Sequence, residues 1–269
     1  MLWQSEVGSA SAPALKIPFS GEKSARTLCR RQVGAIGPPM SRPIQIIPSI
    51  LAADYARLGE EVVLADRAGG DRLHLDMIDG HVYKNMSFGP TMFQALRPFT
   101  TKPFDVHLMA TPAREWIEPL KNAGCDRVMI QVGLEADLSG LIKFIHAHAM
   151  SIGFVLTPRD QADLVIPHLD ALDLINVMTV DPGFGGQLFL EAMMPKVSRV
   201  RDLIGARPID LSVDGGITPE TATVAARAGA TSFVAGTAIF KTPTKDYAKA
   251  IKALRESVQS VLSKTPETV

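Results

Sequence analysis

The sequence predicts an α/β protein that folds as a (β/α)8 TIM barrel. From Ile44 onward, short apolar runs alternate with longer amphipathic runs, and this alternation indicates a parallel sheet covered by helices. Eight such units fit into residues 43–269, and closed barrels of this kind take about 200 residues or more. The first strand is followed by PSILAADY, which lacks the G-x-G-x-x-G loop usual in an open doubly wound sheet. A single barrel domain over residues 43–269 is therefore favoured.

The predicted strands are short apolar runs rich in branched residues, and the stretches between them have helical patterning. In chain order the strands are 45–50, 72–78, 103–109, 127–132, 151–156, 174–180, 209–213 and 232–235. The predicted helices include 55–68, 112–123, 134–149, 191–203, 219–228 and 245–262. Thr111 and Thr218 each precede a proline at a predicted helix start, where a hydroxyl can cap the helix and proline suits the first turn.

Residues 1–42 differ in composition from the rest of the chain. They hold six basic and two acidic residues among scattered serine, glycine and proline, without a sustained apolar period. We interpret them as a flexible arm without function. Two alternatives stay open: an organelle transit peptide, which fits the basic, serine-bearing composition, and upstream sequence translated ahead of a start at Met40.

The overall composition is that of a soluble globular protein, with 46% hydrophobic residues, 21% charged residues and no net formal charge. No apolar run approaches the roughly 18 to 20 residues that span a bilayer, so we expect no membrane partner. The slightly acidic body lacks a basic patch interleaved with aromatic residues, which argues against nucleic acid as a partner. Cys29 and Cys125 form no disulfide framework or metal clip, and a reducing compartment, the cytoplasm, is expected.

Polar residues gather where the predicted strands end, which is where a barrel carries its functional groups. The stretch HLDMIDGHVYKN begins in a strand, so His74 and Asp76 point to the same side of it. DVHLM ends the third strand with His107, and SVDGG ends the seventh with Asp214. Each residue taken singly is more often a hydrogen-bonded core histidine or a capping aspartate. Together they predict a metal site at the barrel mouth with nitrogen and oxygen ligands, suited to one divalent ion such as Zn, Fe(II), Mn or Co.

Glycine-rich loops follow the last three strands. DPGFGGQ follows the sixth strand, DGG the seventh and AGT the eighth. Such loops are often only the tight turns that close a βα unit. Three in succession, with little lysine or arginine, predict a phosphate held by backbone amides and a helix N-terminus.

These residues resemble the ribulose-phosphate 3-epimerase family. The resemblance runs through IIPSILAADYARL, HLDMIDGH, DVHLM, MTVDPGFGGQ, MMPKV, VDGGI and VAGTAIF, in the family's order and spacing. It implies a barrel of the ribulose-phosphate-binding type that interconverts D-ribulose 5-phosphate and D-xylulose 5-phosphate. The implied mechanism is two-base proton transfer at C3 through a metal-stabilised enediolate, with Asp76 and Asp214 as acid and base.

The resemblance also implies roles for further residues. The metal ligands would be His74, Asp76, His107 and Asp214. The substrate would be bound by Ser49, His107, Met109, Met178, Gly183, Phe184, Gly185, Gly186, Gly215, Gly216, Gly236 and Thr237, with the glycines at the phosphate end and the methionines over the reacting carbons. Assembly into a homo-oligomer is expected because such barrels usually associate.

The sequence departs from the family pattern at several strand ends. Ile78 stands in place of a lining methionine, with Met77 next to it, and VYKN replaces the usual FVPN and brings Lys84 near the mouth. Strand four normally ends in His-x-Glu, where this chain has Gln131 and Gly133, or a shift toward Glu135. Strand five reads LTP, Thr157 and Pro158, instead of ending near NP. A related ketose phosphate such as allulose 6-phosphate is therefore an alternative substrate.

Other classes of protein fit the sequence less well. A decarboxylase of similar appearance would carry D-x-K-x-x-D, whereas residues 76–79 contain no lysine. A metal-free isomerase would need a glutamate base after strand six, where the sequence has Asp181 before a proline. A non-catalytic phosphate-binding barrel would not need its ligand residues and glycine loops intact. His81, His146, His148 and His168 have no ligand-like spacing and are expected at the surface.

Overall fold

A computed structural model describes residues 42–263 and contains one closed sheet of eight parallel strands. The strands are β1 (Gln45–Pro48), β2 (Leu73–Ile78), β3 (Phe104–Met109), β4 (Arg127–Gln131), β5 (Ser151–Leu156), β6 (Leu174–Met178), β7 (Asp210–Asp214) and β8 (Ser232–Ala235). From β2 to β8 each strand pairs with its sequence neighbour, and β8 pairs with β1. The predicted (β/α)8 barrel is confirmed, and the strand bounds differ from the prediction by at most two residues.

Helices surround the sheet. They are α1 (Leu58–Arg67), α2 (Pro90–Leu96), α3 (Arg114–Asn122), α4 (Leu138–Ala147), α5 (Met194–Ile204), α6 (Pro219–Arg227), α7 (Thr237–Phe240) and α8 (Tyr247–Leu262). Between β5 and β6 the chain forms a 3-10 helix, Ala162–Ala171, instead of an α-helix. Within residues 42–263 no helix is long and apolar enough to cross a membrane.

Side-chain caps set the start of α4 and α6, whereas α3 begins at Arg114 without one, two residues after the start that Thr111 and Pro112 predict. Thr218 caps α6 with a capping box, and Pro219 opens that helix as predicted. Helix α4 starts at Leu138 because the Asp137 side chain accepts a hydrogen bond from Gly140 N. Asp137 is therefore the cap, and the helix begins four residues beyond the position 134 that apolar periodicity alone predicts.

The buried apolar side chains form two layers, one outside the sheet and one inside it. The larger one lies between the outward faces of the strands and the helices. The smaller one lies inside the sheet and consists of Met129, Val155, Leu174, Met178 and Val180. Gly153 makes room for it, since a Cβ there would lie 2.9 Å from Leu174 and 3.0 Å from Met129.

A chain of ion pairs fills the barrel floor, near the start of the strands. Arg72 donates to both carboxylate oxygens of Asp105, at 2.7 and 2.6 Å. Arg127 lies 3.4 Å from Asp105 and 3.4 Å from Asp210. Arg42, the last residue of the predicted arm, also pairs with Asp210. The buried carboxylates are thus compensated across the barrel, from β2 to β7.

The barrel closes at a seam between β1 and β2, the two end strands of the pairing order. In the described part of the chain, a single parallel bridge between Ser49 and His74 joins the two edges of the seam. Asp71, just before β2, adds two bonds, because its N–H donates to Ile46 O and its carboxylate accepts from Ile46 N. The seam is therefore held by fewer bonds than the ladders, and it lies directly beside the residues at the mouth.

Candidate active site

A cleft opens at the C-terminal ends of the strands, the end at which barrels carry function. The sequence-predicted residues that line it are Ser49, Asp76, His107, Met109, Met178, Gly183, Phe184, Gly185, Gly186, Asp214, Gly215, Gly216, Gly236 and Thr237. His74 lies against the same carboxylates from below the lining, 1% exposed. The structure therefore brings all of these residues to one place.

Four side chains converge at the base of the cleft. Ligand atoms of His74, Asp76, His107 and Asp214 all lie within 4.8 Å of one another. They arrive from three strands, because β2 carries two of them, β3 carries His107 and β7 carries Asp214. Asp76 is paired in register with His107 across β2 and β3, which sets their side chains side by side.

The nitrogen atoms of both histidines face the carboxylates. His74 Nε2 is 3.3 Å from Asp76 Oδ1 and 3.4 Å from Asp214 Oδ2. His107 Nδ1 is 3.4 Å from Asp76 Oδ1 and 4.0 Å from Asp214 Oδ2. Two imidazole nitrogens and two carboxylate oxygens thus surround one small volume.

The carboxylates of this cluster stabilise a positive charge on the neighbouring His74. Burial would lower the pKa of His74, but the charges of Asp76 and Asp214 outweigh burial and hold that pKa well above its usual value. Burial would likewise raise the pKa of Asp76, whereas the charge of His74 and the adjacent imidazole of His107 hold that pKa well below its usual range. The buried Asp76 carboxylate therefore stays ionised, and its negative charge would attract a cation.

The donor set fits a divalent metal ion. Two nitrogen and two oxygen ligands on a buried, negatively charged cluster suit Zn, Fe(II), Mn or Co. His107 Nδ1 has no hydrogen-bond partner within the described residues, although it is buried, and it points at the carboxylates. A buried nitrogen without a hydrogen-bond partner is the kind of atom that a metal would satisfy.

Ser49 links the cluster to the seam. Its hydroxyl donates to Asp76 Oδ2 at 2.9 Å, while Asp76 Oδ1 faces the histidines. This bond fixes the carboxylate plane, so one oxygen is presented to the cluster and the other is held from the β1 side.

Glycines shape the opposite end of the cleft. Gly216 has φ +64°, and a Cβ there would lie 2.5 Å from Phe189 N. Gly215 has φ +117°, and a Cβ there would lie 2.4 Å from Val180. Both the backbone conformation and the close approach of neighbouring atoms therefore require glycine at these positions.

Methionines cover one wall of the cleft, though not all that the sequence suggested. Met109 and Met178 line it. Met77 does not make up for Ile78, because it lies on the other face of β2, in the apolar layer under the helices. Side chains alternate across a strand, so a neighbour in sequence points away.

Most of the residues that depart from the family pattern at strands two, four and five lie away from the cleft. Lys84 is exposed. Glu135 turns away from the cluster, since its carboxylate accepts from Ala113 N before α3. Thr157 caps a turn with Asp160, and the carbonyls of Thr157 and Pro158 accept bonds from Lys196. None of these groups lines the cleft.

Two residues that depart from the family pattern are hydrogen-bonded to each other beside the four-residue cluster. Tyr83 Oη donates to Gln131 Oε1 at 2.7 Å, and Gln131 Nε2 lies 3.1 Å from His107 Nε2. Sequence reasoning marked Gln131 only as a departure. Its strand parity with Met129 was a signal that it points into the barrel.

The remaining histidines divide into two kinds. His81 and His146 are exposed as expected. His148 and His168 are half-buried, because His148 Nδ1 bonds Phe144 O at 2.8 Å and the His168 ring packs edge-on to Phe154. The cleft also has lining residues that the sequence did not single out: Leu51, Ala52, Val180, Pro182, Gln187, Ile217 and Val234.

Comparison with known proteins decides the family. Residues 45–240 match the profile of the ribulose-phosphate 3 epimerase family. The chain is 39% identical over 224 residues to ribulose-phosphate 3-epimerase 2 of Cupriavidus necator, a match that covers 80% of this chain and 93% of that protein. It is 37% identical over 217 residues to the ribulose-phosphate 3-epimerase of Bacillus subtilis, covering 80% of this chain and 99% of that protein.

The chain belongs to the ribulose-phosphate 3-epimerase family. It is therefore an epimerase, an enzyme of the isomerase class. Solved structures add support for the fold of this epimerase. A 3-hexulose-6-phosphate synthase superposes with a TM-score of 0.57 at 19% identity, covering 80% of this chain and 99% of that chain. KGPDC from Streptococcus mutans superposes with a TM-score of 0.59 at 15% identity, covering 82% and 99%.

Proposed function

We propose that this epimerase interconverts D-ribulose 5-phosphate and D-xylulose 5-phosphate with one divalent metal ion. The observation that carries the proposal is the convergence of two histidines and two aspartates within 4.8 Å at the base of the cleft. In a family of phosphosugar epimerases, this cluster supplies both metal ligands and acid-base groups.

Asp76 and Asp214 are the proposed acid and base. Inverting a carbon beside a carbonyl requires one group to remove the C3 proton and another to return a proton to the opposite face. The two carboxylates come from different walls, β2 and β7. Asp76 and Asp214 would exchange roles with the direction of the reaction.

His74, Asp76, His107 and Asp214 would hold the metal. When bound, a divalent ion supplies Lewis acidity that stabilises negative charge on the C2 and C3 oxygens. Ser49 orients Asp76 through its hydrogen bond. Met109 and Met178 would offer a polarizable apolar wall that excludes water from the reacting carbons.

The glycine end of the cleft would bind the phosphate. The proposed groups are the backbone amides of the loops after β6, β7 and β8, at Gly183, Phe184, Gly185, Gly186, Gly215, Gly216, Gly236 and Thr237. Glycine lets the backbone approach an anion closely and lets successive N–H groups converge on it. A single phosphate anchored there would leave the sugar carbons over the carboxylates.

The test is the rate of pentose phosphate interconversion after reconstitution with Zn, Fe(II), Mn or Co, with allulose 6-phosphate run in parallel. We expect metal-dependent turnover of ribulose 5-phosphate that Asp214→Asn lowers by at least about 100-fold. Faster turnover of the hexose phosphate would change the assigned substrate to that sugar and leave the proposed mechanism unchanged. Lack of metal-dependent turnover of either sugar would contradict the proposal.

Two further predictions concern the rest of the chain. Residues 1–41, which lie outside the described residues, are proposed to be dispensable, so a chain starting at Arg42 should keep the kcat/KM of the full chain. Arg42 is retained because it pairs with Asp210. Assembly into a homo-oligomer stays a prediction, which sedimentation velocity tests directly.

A further inference from the structure

A hydrogen-bond relay of two side chains lies behind His107, on the side away from the carboxylates. Gln131 is 1% exposed at the end of β4. Its amide is bonded on one side to Tyr83 Oη at 2.7 Å and on the other to His107 Nε2 at 3.1 Å. Neither Tyr83 nor Gln131 lines the cleft, so both act through His107 and not on a substrate.

Tyr83 is held in place by the loop after β6. A Cβ at Gly183 would lie 3.0 Å from Tyr83 Cβ, and the neighbouring Asn85 donates to Gly183 O at 2.6 Å. The relay therefore has a fixed outer end. Tyr83 and Gln131 are also two positions where this chain departs from the usual motifs of its family, and the structure shows them bonded as a pair.

The relay can supply either a donor or an acceptor to His107. As oriented in the structure, the Gln131 amide nitrogen faces His107 Nε2, which suits a ring protonated at Nδ1. A half-turn of the amide exchanges oxygen and nitrogen without moving another heavy atom, and the tyrosine hydroxyl can accept as well as donate. Tyr83 is half-buried, so its proton can then turn to solvent.

Metal ligation by His107 requires the second arrangement. Its Nδ1 faces the carboxylates, and a metal there needs the Nδ1 lone pair, which leaves the proton of the neutral ring on Nε2. A proton leaves Nδ1 for solvent and one from solvent is taken up at Nε2, so the ring stays neutral. The Gln131 oxygen would then accept from Nε2–H, and the Gln131 nitrogen would donate to Tyr83 Oη.

We propose that Tyr83 and Gln131 are positioning residues that hold the His107 ring with Nδ1 in the four-residue cluster and satisfy Nε2 in both tautomers. This inference rests on the proposed metal dependence. His74 offers an internal contrast, because its outer nitrogen, Nδ1, has no hydrogen-bond partner within the described residues. Of the two histidines, His107 is therefore the one whose ring orientation and tautomer a side-chain partner controls.

The experiment measures the Zn²⁺ dissociation constant by chelator competition, for wild type, four single variants and one double variant. Gln131→Met fills similar space without a polar partner, and should raise the dissociation constant about tenfold or more. Gln131→Glu accepts from Nε2–H and from Tyr83, and should keep the constant within about threefold or lower it. Tyr83→Phe should weaken binding less than Gln131→Met, and should add nothing in the Gln131→Met background. Gln94→Met, on the exposed face of α2, is the matched control and should bind as wild type.

A second readout follows the tautomer directly. In ¹⁵N-histidine spectra of the zinc-loaded wild type, His107 should show the pattern of a ring protonated at Nε2, and Tyr83→Phe should shift its Nε2 resonance. This variant is conservative and keeps the inference testable even where Gln131→Met does not fold.

The outcomes separate the inference from the function on which it rests. Wild-type affinity in Gln131→Met, or an equal loss in Gln131→Glu, overturns the relay while zinc-dependent turnover of the wild type stands. A wild-type protein that neither binds zinc nor turns over a ketose phosphate overturns the proposed function instead.

Discussion

Ser49 on the β1 side of the barrel donates a 2.9 Å hydrogen bond to Asp76 Oδ2 on β2. The bond holds a buried carboxylate whose other oxygen faces both histidines. A hydrogen bond to a charged group contributes about 1.5–3 kcal/mol. The position of this proposed acid-base group therefore depends on a residue from the neighbouring strand end.

Replacing Ser49 by alanine should lower kcat/KM about tenfold or more, because a loss of about 1.4 kcal/mol is a factor of ten. Steady-state kinetics at saturating metal measure it. Ser212→Ala is the matched control, since Ser212 is also buried at a strand of the barrel but its hydroxyl has no partner within the described residues. Equal losses in both variants would contradict a specific role for the Ser49 bond.

Asp76→Asn and Asp214→Asn should separate the two halves of the proton transfer. Both should lower epimerisation by at least about 100-fold. In D₂O with saturating metal, each variant keeps one carboxylate, so each should exchange the C3 proton of only one of the two epimers. Proton NMR of both sugar phosphates measures this exchange. Exchange of the same epimer by both variants would argue against a two-base mechanism.

Gly216→Ala should weaken substrate binding. Its φ of +64° is strained for alanine, and the added Cβ would lie 2.5 Å from Phe189 N, so the loop must shift. We expect KM for the sugar phosphate to rise about tenfold or more, since an ordered backbone cradle would be lost. Gly89→Ala is the control, because φ there is −144° and no atom lies within 4 Å of the added Cβ. An unchanged KM in Gly216→Ala would remove this loop from the phosphate site.

Asp105→Asn should destabilise the barrel by about 3–5 kcal/mol, because it leaves half-buried Arg72 and buried Arg127 without their shared partner. Urea unfolding at pH 7 measures it. Asp170→Asn breaks an exposed pair with Arg207 and should change stability by less than about 1 kcal/mol. Equal effects of the two substitutions would contradict a structural role for the floor.

The Asp105 effect should depend on pH in a definite direction. Burial would raise the pKa of Asp105, but Arg127 and Arg72 hold it below its ordinary value of 3.8. A lowered folded-state pKa contributes stability above the unfolded-state value, and this contribution is lost as pH falls through the folded-state value. The difference between wild type and Asp105→Asn should therefore be constant near neutral pH and shrink below pH 3.8.

The sequence predicted the strands and the four clustered side chains because both follow from local rules. Side chains alternate along a strand with a period of two, so His74 and Asp76 had to share a face, and parallel strands bring their C-terminal ends together. Helix α2 (Pro90–Leu96) was missed, because a helix this short gives too few repeats for its periodicity to stand out. The 3-10 helix at Ala162–Ala171 was also missed, and it contains Pro167, which lacks the N–H that a helix interior needs.

The relay could not be predicted from the sequence. Tyr83 and Gln131 are 48 positions apart. Neither the segment around Tyr83 nor the segment around Gln131 indicates that the two side chains meet. Their contact depends on the packing of Tyr83 against Gly183, in a loop from a third strand. A local sequence pattern predicts on which face of a strand a side chain lies. Contacts between residues of different loops become known only from the folded structure.

The seam between β1 and β2 links stability to the site. Ser49 and His74 form its bridge, and Ser49 also holds Asp76. A ligand that binds only the folded state stabilises it by mass action, and a metal held by His74 and Asp76 would be anchored on one edge of the seam. Amide protons of β1 and β2 should therefore show the largest slowing of hydrogen exchange when metal is added. Metal occupancy could then be measured as local protection of the backbone at the seam.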